Sequence, residues 1–184
     1  NKSLQAMRAL ASEANSEGAN SLLSETQKIF EDLGTAVDVG NNVVSIILNE
    51  YRQLADDAGI TFDYDVSIPH TLSITAVDLY VLLGNTLDNA IEACESLPEE
   101  QRYIHLQFRT FHEILFLQIK NPYSKDYPLR IRGKNHGYGL QNVRKCVKKH
   151  NGHISAEQEN GVFTLSLRLA DCVPATTNMR TLNQ

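Results

Sequence analysis

Apolar residues recur at helical spacing through the first third of the chain. Leu4, Met7, Ala11 and Ala14 make a narrow seam, Ser16-Glu17-Gly18 interrupts it, and Leu22, Thr26, Ile29 and Leu33 make a second. The pattern predicts two helices folded as a hairpin. A third helix over 42–58 carries Val43, Ile46, Ile47, Tyr51, Leu54 and Ala58 and stops at Gly59. Such seams either cover a core or pair with a second copy of the chain, and the pattern leaves both open.

After Gly59 the period changes to two. Phe62, Tyr64, Val66 and Ile68 alternate with Thr61, Asp63, Asp65 and Ser67, which predicts a half-buried strand closed by Pro69. Thr75 followed by Asp78 has the form of a helix start, and a long helix is expected to end before Pro98. Strands are expected over 103–109 and 114–120. Leu140, Val143 and Val147 predict a further helix beginning at Gly139, with Lys148, Lys149 and His150 at its negative end and Asn151-Gly152 as its stop. A hairpin over 153–169 turns at Asn160-Gly161 and points Phe163, Leu165, Leu167 and Leu169 inward. This order predicts an α+β fold, with helices on one face of a mixed, mostly antiparallel sheet. The expected organisation is a helical region over 1–58, a domain over 59–171 and an unpacked tail over 172–184.

Composition narrows the function. At 184 residues, 42% hydrophobic and 21% charged, the chain reads as globular. A net charge of -5, with Lys and Arg scattered, offers no basic field, so nucleic acid is excluded as an expected partner. Cys94, Cys146 and Cys172 lie far apart in sequence without a Cys-x-x-Cys pair, a pattern poor for zinc and odd for a disulfide framework, which suits a reducing cytosol best. No apolar run approaches the ~18 residues of a membrane span. The chain starts at Asn1 in mid-pattern, from which a piece of a longer protein is expected.

Two stretches carry candidate chemistry. In DLYVLLGNTLDNAIEAC, residues 78–94, the polar residues Asp78, Asn85, Asp88, Asn89 and Glu92 fall on one stripe of the helix. A merely solvated stripe is best served by Glu, Lys, Gln or Ala, yet its middle reads Gly84-Asn85-Thr86 and Asp88-Asn89, each a weak helix former. Such local conflict marks candidate functional positions. Asn85 and Asn89, one turn apart, offer amide oxygens suited to Mg²⁺. The second stretch, HGYGLQNV at 136–143, sets glycines around a helix start, where unpartnered N–H groups attract anions and glycine lets them approach. Gly-x-Gly before a helix is also common in ordinary loops. The dinucleotide and P-loop patterns are both absent, since Asn142 stands where a third glycine would be needed.

Together the two stretches resemble a known family. LGNTLDNAIEA is similar to the N box, and HGYGLQNV to the glycine-rich lid motif, of the GHKL ATPase superfamily of gyrase, ninety-kilodalton heat-shock chaperones and sensor histidine kinases. Among these the chain most resembles the histidine kinases of the peptide-pheromone (accessory-gene-regulator) type, whose N box is similar to the Asn-x-x-Asp-Asn-Ala-x-Glu-Ala of residues 85–93. The resemblance implies a two-layer α/β sandwich of the Bergerat type that binds ATP and Mg²⁺, behind a helical dimerisation hairpin. It implies Asn89 as the Mg²⁺ ligand, and places Asn85 where hydrolytic relatives hold a water-activating Glu. An amide is no general base, so phosphoryl transfer is expected over hydrolysis. It assigns Glu92, Tyr138, Leu140, Gly137 and Gly139 to the nucleotide site, with phosphates at the helix start. The usual adenine motif Asp-x-Gly-x-Gly is replaced by Asn121-Pro122-Tyr123, which makes Asn121 and Tyr123 the adenine contacts implied by the pheromone-sensor pattern. Lys125, Arg130, Arg132, Lys134 and His136 fall in a short lid, with Lys134 and His136 the phosphate candidates among them.

None of the six histidines, His70, His105, His112, His136, His150 and His153, lies in the first two predicted helices. The acceptor histidine is therefore expected upstream of Asn1, and this stretch alone is not expected to phosphorylate itself. The resemblance further implies a response regulator as partner, a homodimer through the N-terminal helices, and a cytoplasmic domain of a membrane-anchored bacterial sensor. A non-catalytic nucleotide or dimerisation module and an anti-sigma-factor-type serine kinase stay open as alternatives.

Overall fold

The computed structural model describes residues 37–124 and 138–173. Helix α1 (Asn42–Asp57) leads into strand β1 (Thr61–Ser67) and then helix α2 (Ala76–Glu95). A single 3₁₀ turn (Glu99–Gln101) precedes β2 (Tyr103–Phe111) and β3 (Ile114–Pro122), and α3 (Tyr138–Lys149) precedes the hairpin β4 (His153–Glu159) and β5 (Val162–Leu169). The five strands form one sheet in the order β1-β2-β3-β5-β4. Only β1 and β2 run parallel, as their connection through α2 requires, and the other neighbours are antiparallel. The expected α+β class, with a mixed and mostly antiparallel sheet packed on one face by helices, is the observed one.

One core joins these layers. Leu79, Leu82, Leu83 and Leu87 of α2 meet Leu106 and Phe108 of β2, Leu115, Leu117 and Ile119 of β3, and Leu165 and Leu167 of β5. Helix α1 belongs to the same core through Val44, Ile47, Leu48, Tyr51 and Ala55. Its inner face differs from the predicted seam, because all of residues 46–51 are buried and the helix is covered on more than one side. Asn49 is buried with them and bonds Val37 N at 2.9 Å and Val37 O at 3.1 Å, as a backbone partner would. The two predicted helices before residue 37 lie outside the described residues. At the other end Cys172 is fully buried and its carbonyl accepts from Ser73 N at 2.8 Å, so the packed chain reaches at least this residue.

Local chemistry sets the ends. Asn41 caps α1 by accepting from Val44 N, while its amide donates to His70 O at 2.9 Å. At the far end Gly59, at φ +64°, reverses the chain, and Ile60 N bonds Ala55 O at 2.8 Å. Asn160 and Gly161 both take positive φ in the β4–β5 turn, as the Asn-Gly pair predicted. Arg102 then ties the helices to the sheet, since its guanidinium donates to Ala58 O after α1 at 2.6 Å and to Leu97 O after α2 at 2.9 Å. One cation thus satisfies carbonyls at the negative ends of two helices.

Replacing Arg102 with Met keeps most of the apolar stem and orphans both carbonyls. The expected loss is roughly 1–3 kcal/mol of unfolding free energy, seen as a lower urea midpoint at unchanged slope. An unchanged midpoint would mean that water caps these ends equally well.

Candidate nucleotide site

The site is built on α2, which carries Asn85 and Asn89 half-buried and one turn apart. Each amide nitrogen donates to the carbonyl four residues earlier, Asn85 to Val81 O at 2.8 Å and Asn89 to Asn85 O at 2.6 Å. A helix carbonyl can only accept, so nitrogen is the tethered end and each side-chain oxygen is directed away from its own helix. Two neutral hard oxygens are thereby held on one face, a donor set that fits Mg²⁺.

Helix α3 is laid against that face. A Cβ added at Gly139 would stand 3.0 Å from Asn85 Oδ1 and 3.6 Å from Asn85 Cβ, so only glycine fits without displacing the amide. The helix begins at Tyr138, one residue earlier than expected, which puts Gly139 inside its first turn with the N–H groups that lack internal partners. Leu140 is partly buried on the core side.

The structure gives other parts of the N box structural reasons. Gly84 is where the Tyr51 and Tyr80 rings press on α2: a Cβ there would lie 3.2 Å from Tyr80 Cζ and 3.4 Å from the Tyr51 hydroxyl. The Tyr51 hydroxyl, buried on α1, donates to Gly84 O at 3.1 Å and Asp88 Oδ1 lies 2.9 Å from it. Thr86 is buried and turns its hydroxyl back to Leu82 O at 2.6 Å. Of the helix-weakening residues, Asn85 and Asn89 are the two that face α3 or the open site without such a packing role, while Glu92 is exposed one turn further on.

Asn121, at the end of β3, is 1% exposed and sits opposite Phe163 of β5. By strand alternation it shares the core face with Leu115, Leu117 and Ile119. Its nitrogen donates to Pro122 O at 2.9 Å, which leaves the oxygen as the outward acceptor. Tyr123 N bonds Gly161 O at 3.0 Å and carries the pairing one residue past the strand. Lys125, Arg130, Arg132, Lys134, His136 and Gly137 lie outside the described residues.

Asp78 leaves the polar stripe in which the helical wheel had placed it. It is 8% exposed and bonds Lys149 Nζ at 2.7 Å and His150 Nε2 at 3.1 Å, both at the end of α3. The two basic residues that read as partners of a helix dipole are thus held by a buried carboxylate from a neighbouring helix. The wheel failed because it knows only the helix itself, and α3 covers this part of α2. Since Asn85 meets Gly139 while Asp78 meets the last turn of α3, the two helices run antiparallel. Burial works to raise the Asp78 carboxyl, but hydrogen bonds from Lys149, His150 and the Thr75 hydroxyl outweigh it and hold the group below its ordinary 3.8. The Asp78 bond in turn raises Lys149 above its ordinary 10.5. Burial pushes the Cys146 thiol up to about 12 and the Cys94 and Cys172 thiols to about 11, so all three are protonated near pH 7 in the metal-free chain.

Two outcomes follow from this geometry. Ala is the better helix former by about 1 kcal/mol, so Gly139→Ala should stabilise the chain in an Asn85→Ala background and do so less, or destabilise, in the native one. A double-mutant cycle by urea unfolding measures the difference, and equal effects in both backgrounds would separate the two residues. For Asp78 the folded value is depressed, so its stabilisation is complete well above 3.8 and is lost as pH falls through the lower folded value. With a chelator present, Asp78→Asn should be less stable than the native chain at neutral pH, and the gap should close as pH drops from about 4 toward 2. A gap that stays constant with pH would show that the ionised carboxylate is not the cause.

Known proteins share this arrangement. A model of the GHKL domain matches residues 74–170, more than half of the 184 residues. The sensor histidine kinase DcuS of Escherichia coli (strain K12) is 25% identical over 146 residues, which cover 74% of this chain and 24% of the relative. DcuS of Shigella flexneri gives the same figures, so the chain spans about a quarter of the length of these relatives. Among solved structures, the catalytic domain of histidine kinase ThkA superposes with a TM-score of 0.57 at 16% identity, over 74% of this chain and 95% of that one. Acinetobacter baumannii histidine kinase AdeS does so with a TM-score of 0.56 at 14% identity, over 84% and 81%. Those two likenesses establish the fold, and the family match establishes kinship: the chain belongs to the GHKL domain family.

Proposed function

We propose that this chain is the ATP-binding kinase region of a two-component sensor histidine kinase, with residues 59–171 as the nucleotide-binding domain, whose core α1 joins, and the residues before α1 as part of the dimerisation region. The observation that carries the reading is the approach of Gly139 to Asn85, where an added Cβ would stand 3.0 Å from Asn85 Oδ1, which brings the N box and the lid motif together at one place. The names of the DcuS relatives support the kinase class. The Asn-x-x-Asp-Asn-Ala-x-Glu-Ala order of residues 85–93 supports the peptide-pheromone type within it.

ATP is the proposed substrate. Bound Mg²⁺ supplies charge neutralisation on the phosphate oxygens. Asn89 offers it a side-chain oxygen whose direction is already set by the bond to Asn85 O. The first turn of α3 turns its N–H groups toward anionic oxygens, and Gly139 keeps that turn close to Asn85. Asn121 accepts from the adenine amino group, with Tyr123 beside it, and Lys134 and His136 are proposed to meet the phosphates. Asn85 cannot take a proton at neutral pH, so the chain provides no base at the place where a water would be activated, and transfer is favoured over hydrolysis.

The proposed acceptor is a histidine outside these 184 residues, and after it an aspartate of a response regulator. The described histidines suit the role poorly: His70 bonds Gly40 O, His150 is held by Asp78, and His105, His112 and His153 stand on the sheet or its turns. A homodimer through the N-terminal helices and a membrane-anchored sensor upstream complete the proposal.

Calorimetry with a non-hydrolysable ATP analogue tests it. Binding should require Mg²⁺ and weaken about tenfold or more, at least 1.4 kcal/mol, in Asn89→Ala. No binding at millimolar nucleotide would favour a non-catalytic module instead. Stable incorporation of the γ-phosphate into this chain alone would overturn the choice of acceptor.

A further inference from the structure

The contact between the first turn of α2 and the last turn of α3 holds more than an ion pair. Cys146 and His150 are four residues apart on α3 and project to one side, where they face Asp78. One ligand atom from each, a thiol sulfur, an imidazole nitrogen and a carboxylate oxygen, lies within 4.8 Å of the other two. Asp78 Oδ2 is 3.1 Å from His150 Nε2, while Cys146 Sγ lies 3.8 Å from the backbone carbonyl oxygen of Asp78 and within 4.8 Å of its carboxylate. In a tetrahedral zinc site, with bonds of about 2.0–2.3 Å, neighbouring ligand atoms stand roughly 3.3–3.8 Å apart. Adjustments of about an ångström or less therefore close the three around an ion. Asp78 and Cys146 are buried, and the His150 side chain is 12% exposed.

We propose that Asp78, Cys146 and His150 form a zinc(II) site with a water in the fourth position, pinning the start of α2 to the end of α3. It is separate from the nucleotide site and does not depend on that reading. Asp78 stands seven residues before Asn85, and Cys146 seven after Gly139, so the centre lies two turns, about 10 Å, from the Asn85–Gly139 contact. The donor set selects zinc over Mg²⁺, because thiolate and imidazole are soft or borderline ligands and Mg²⁺ asks for six oxygens. On binding, the sulfur–hydrogen bond of Cys146 breaks, its proton leaves to solvent and the sulfur–zinc bond forms, while the carboxylate exchanges the Lys149 ammonium for the ion. Lys149 can leave readily, since its side chain is 60% exposed. In the metal-free chain Lys149 therefore acts as the stand-in cation.

The test is titration of the whole reduced chain with Co²⁺ and then Zn²⁺, with excess Mg²⁺ and no nucleotide, followed by absorbance and calorimetry. One equivalent should give a thiolate-to-cobalt charge-transfer band that Zn²⁺ abolishes. Cys146→Ser and His150→Gln should each weaken Zn²⁺ binding beyond the 10–100-fold expected for a mere supporting neighbour. Cys94→Ser, sixteen residues along α2 from Asp78 and so about 24 Å away, should leave it unchanged. Lys149→Met gives the sign that a structural ion pair would not: it should tighten Zn²⁺ binding while lowering the stability of the metal-free chain. Circular dichroism without metal checks that each variant is folded. Absence of the band in the folded native chain, or binding indifferent to Cys146→Ser, overturns the site whatever the nucleotide result.

Discussion

The antiparallel contact of α2 with α3 is the constraint on which the remainder rests. Its two ends work by opposite means. At one, Gly139 leaves out a side chain whose Cβ would stand only 3.0 Å from Asn85 Oδ1. At the other, Asp78 gathers Lys149, His150 and the Cys146 thiol around one buried carboxylate. The first sets how closely the helices approach, because a larger residue at 139 has to displace the Asn85 amide. The second fixes register, because a buried carboxylate that loses its partners by a slip of one turn carries the desolvation cost alone. Apolar packing of Val143 and Val147 holds the helices together but would tolerate such a slip far better.

The nucleotide face inherits this precision. Asn85 and Asn89 each spend their nitrogen on an i−4 carbonyl, a bond that adds little to helix stability but decides where the oxygen points. Preorganisation of this kind matters most for a ligand set of neutral amides, whose attraction for a cation is weaker than that of carboxylates and cannot reorient a loose side chain at low cost. Tyr51 extends the same logic to α1. Its hydroxyl meets Gly84 O and Asp88, so the helix nearest the N-terminal region bears directly on the turn of α2 that holds both asparagines.

What the sequence disclosed follows from which forces are local. Element types and most boundaries were readable, because alternation in β5, the Thr75 cap, Gly59 and Asn160-Gly161 all act within a few residues. The two site motifs were readable as a conflict between helix propensity and composition. Half of that conflict had another cause, since Gly84 and Thr86 answer to the tyrosines and to a buried hydroxyl. Asp78 was placed on the polar stripe of its helix because its partners lie about seventy residues away, and no helical wheel contains them. The inner face of α1 was blurred for a related reason. A helix covered on several sides buries polar residues such as Asn49 beside its apolar seam, and period alone cannot tell which side is in.

At the proposed adenine end of the site, a rigid sheet would stand in for a missing motif. Glycines in the usual Asp-x-Gly-x-Gly allow the chain to bend around the base. Here β3 stays paired with β5 through Pro122 opposite Val162, and Tyr123 N continues the pairing to Gly161 O. Proline has no N–H to give the ladder, yet its fixed φ suits the end of a strand. Asn121 is therefore held by strand register rather than by loop conformation, 1% exposed and facing the core side with its nitrogen committed to Pro122 O. A base that meets this amide encounters an acceptor that cannot swing to suit it. Recognition there would rest on shape and a single directed hydrogen bond, with the remaining affinity drawn from the phosphate end, where Asn85, Asn89 and the first turn of α3 converge.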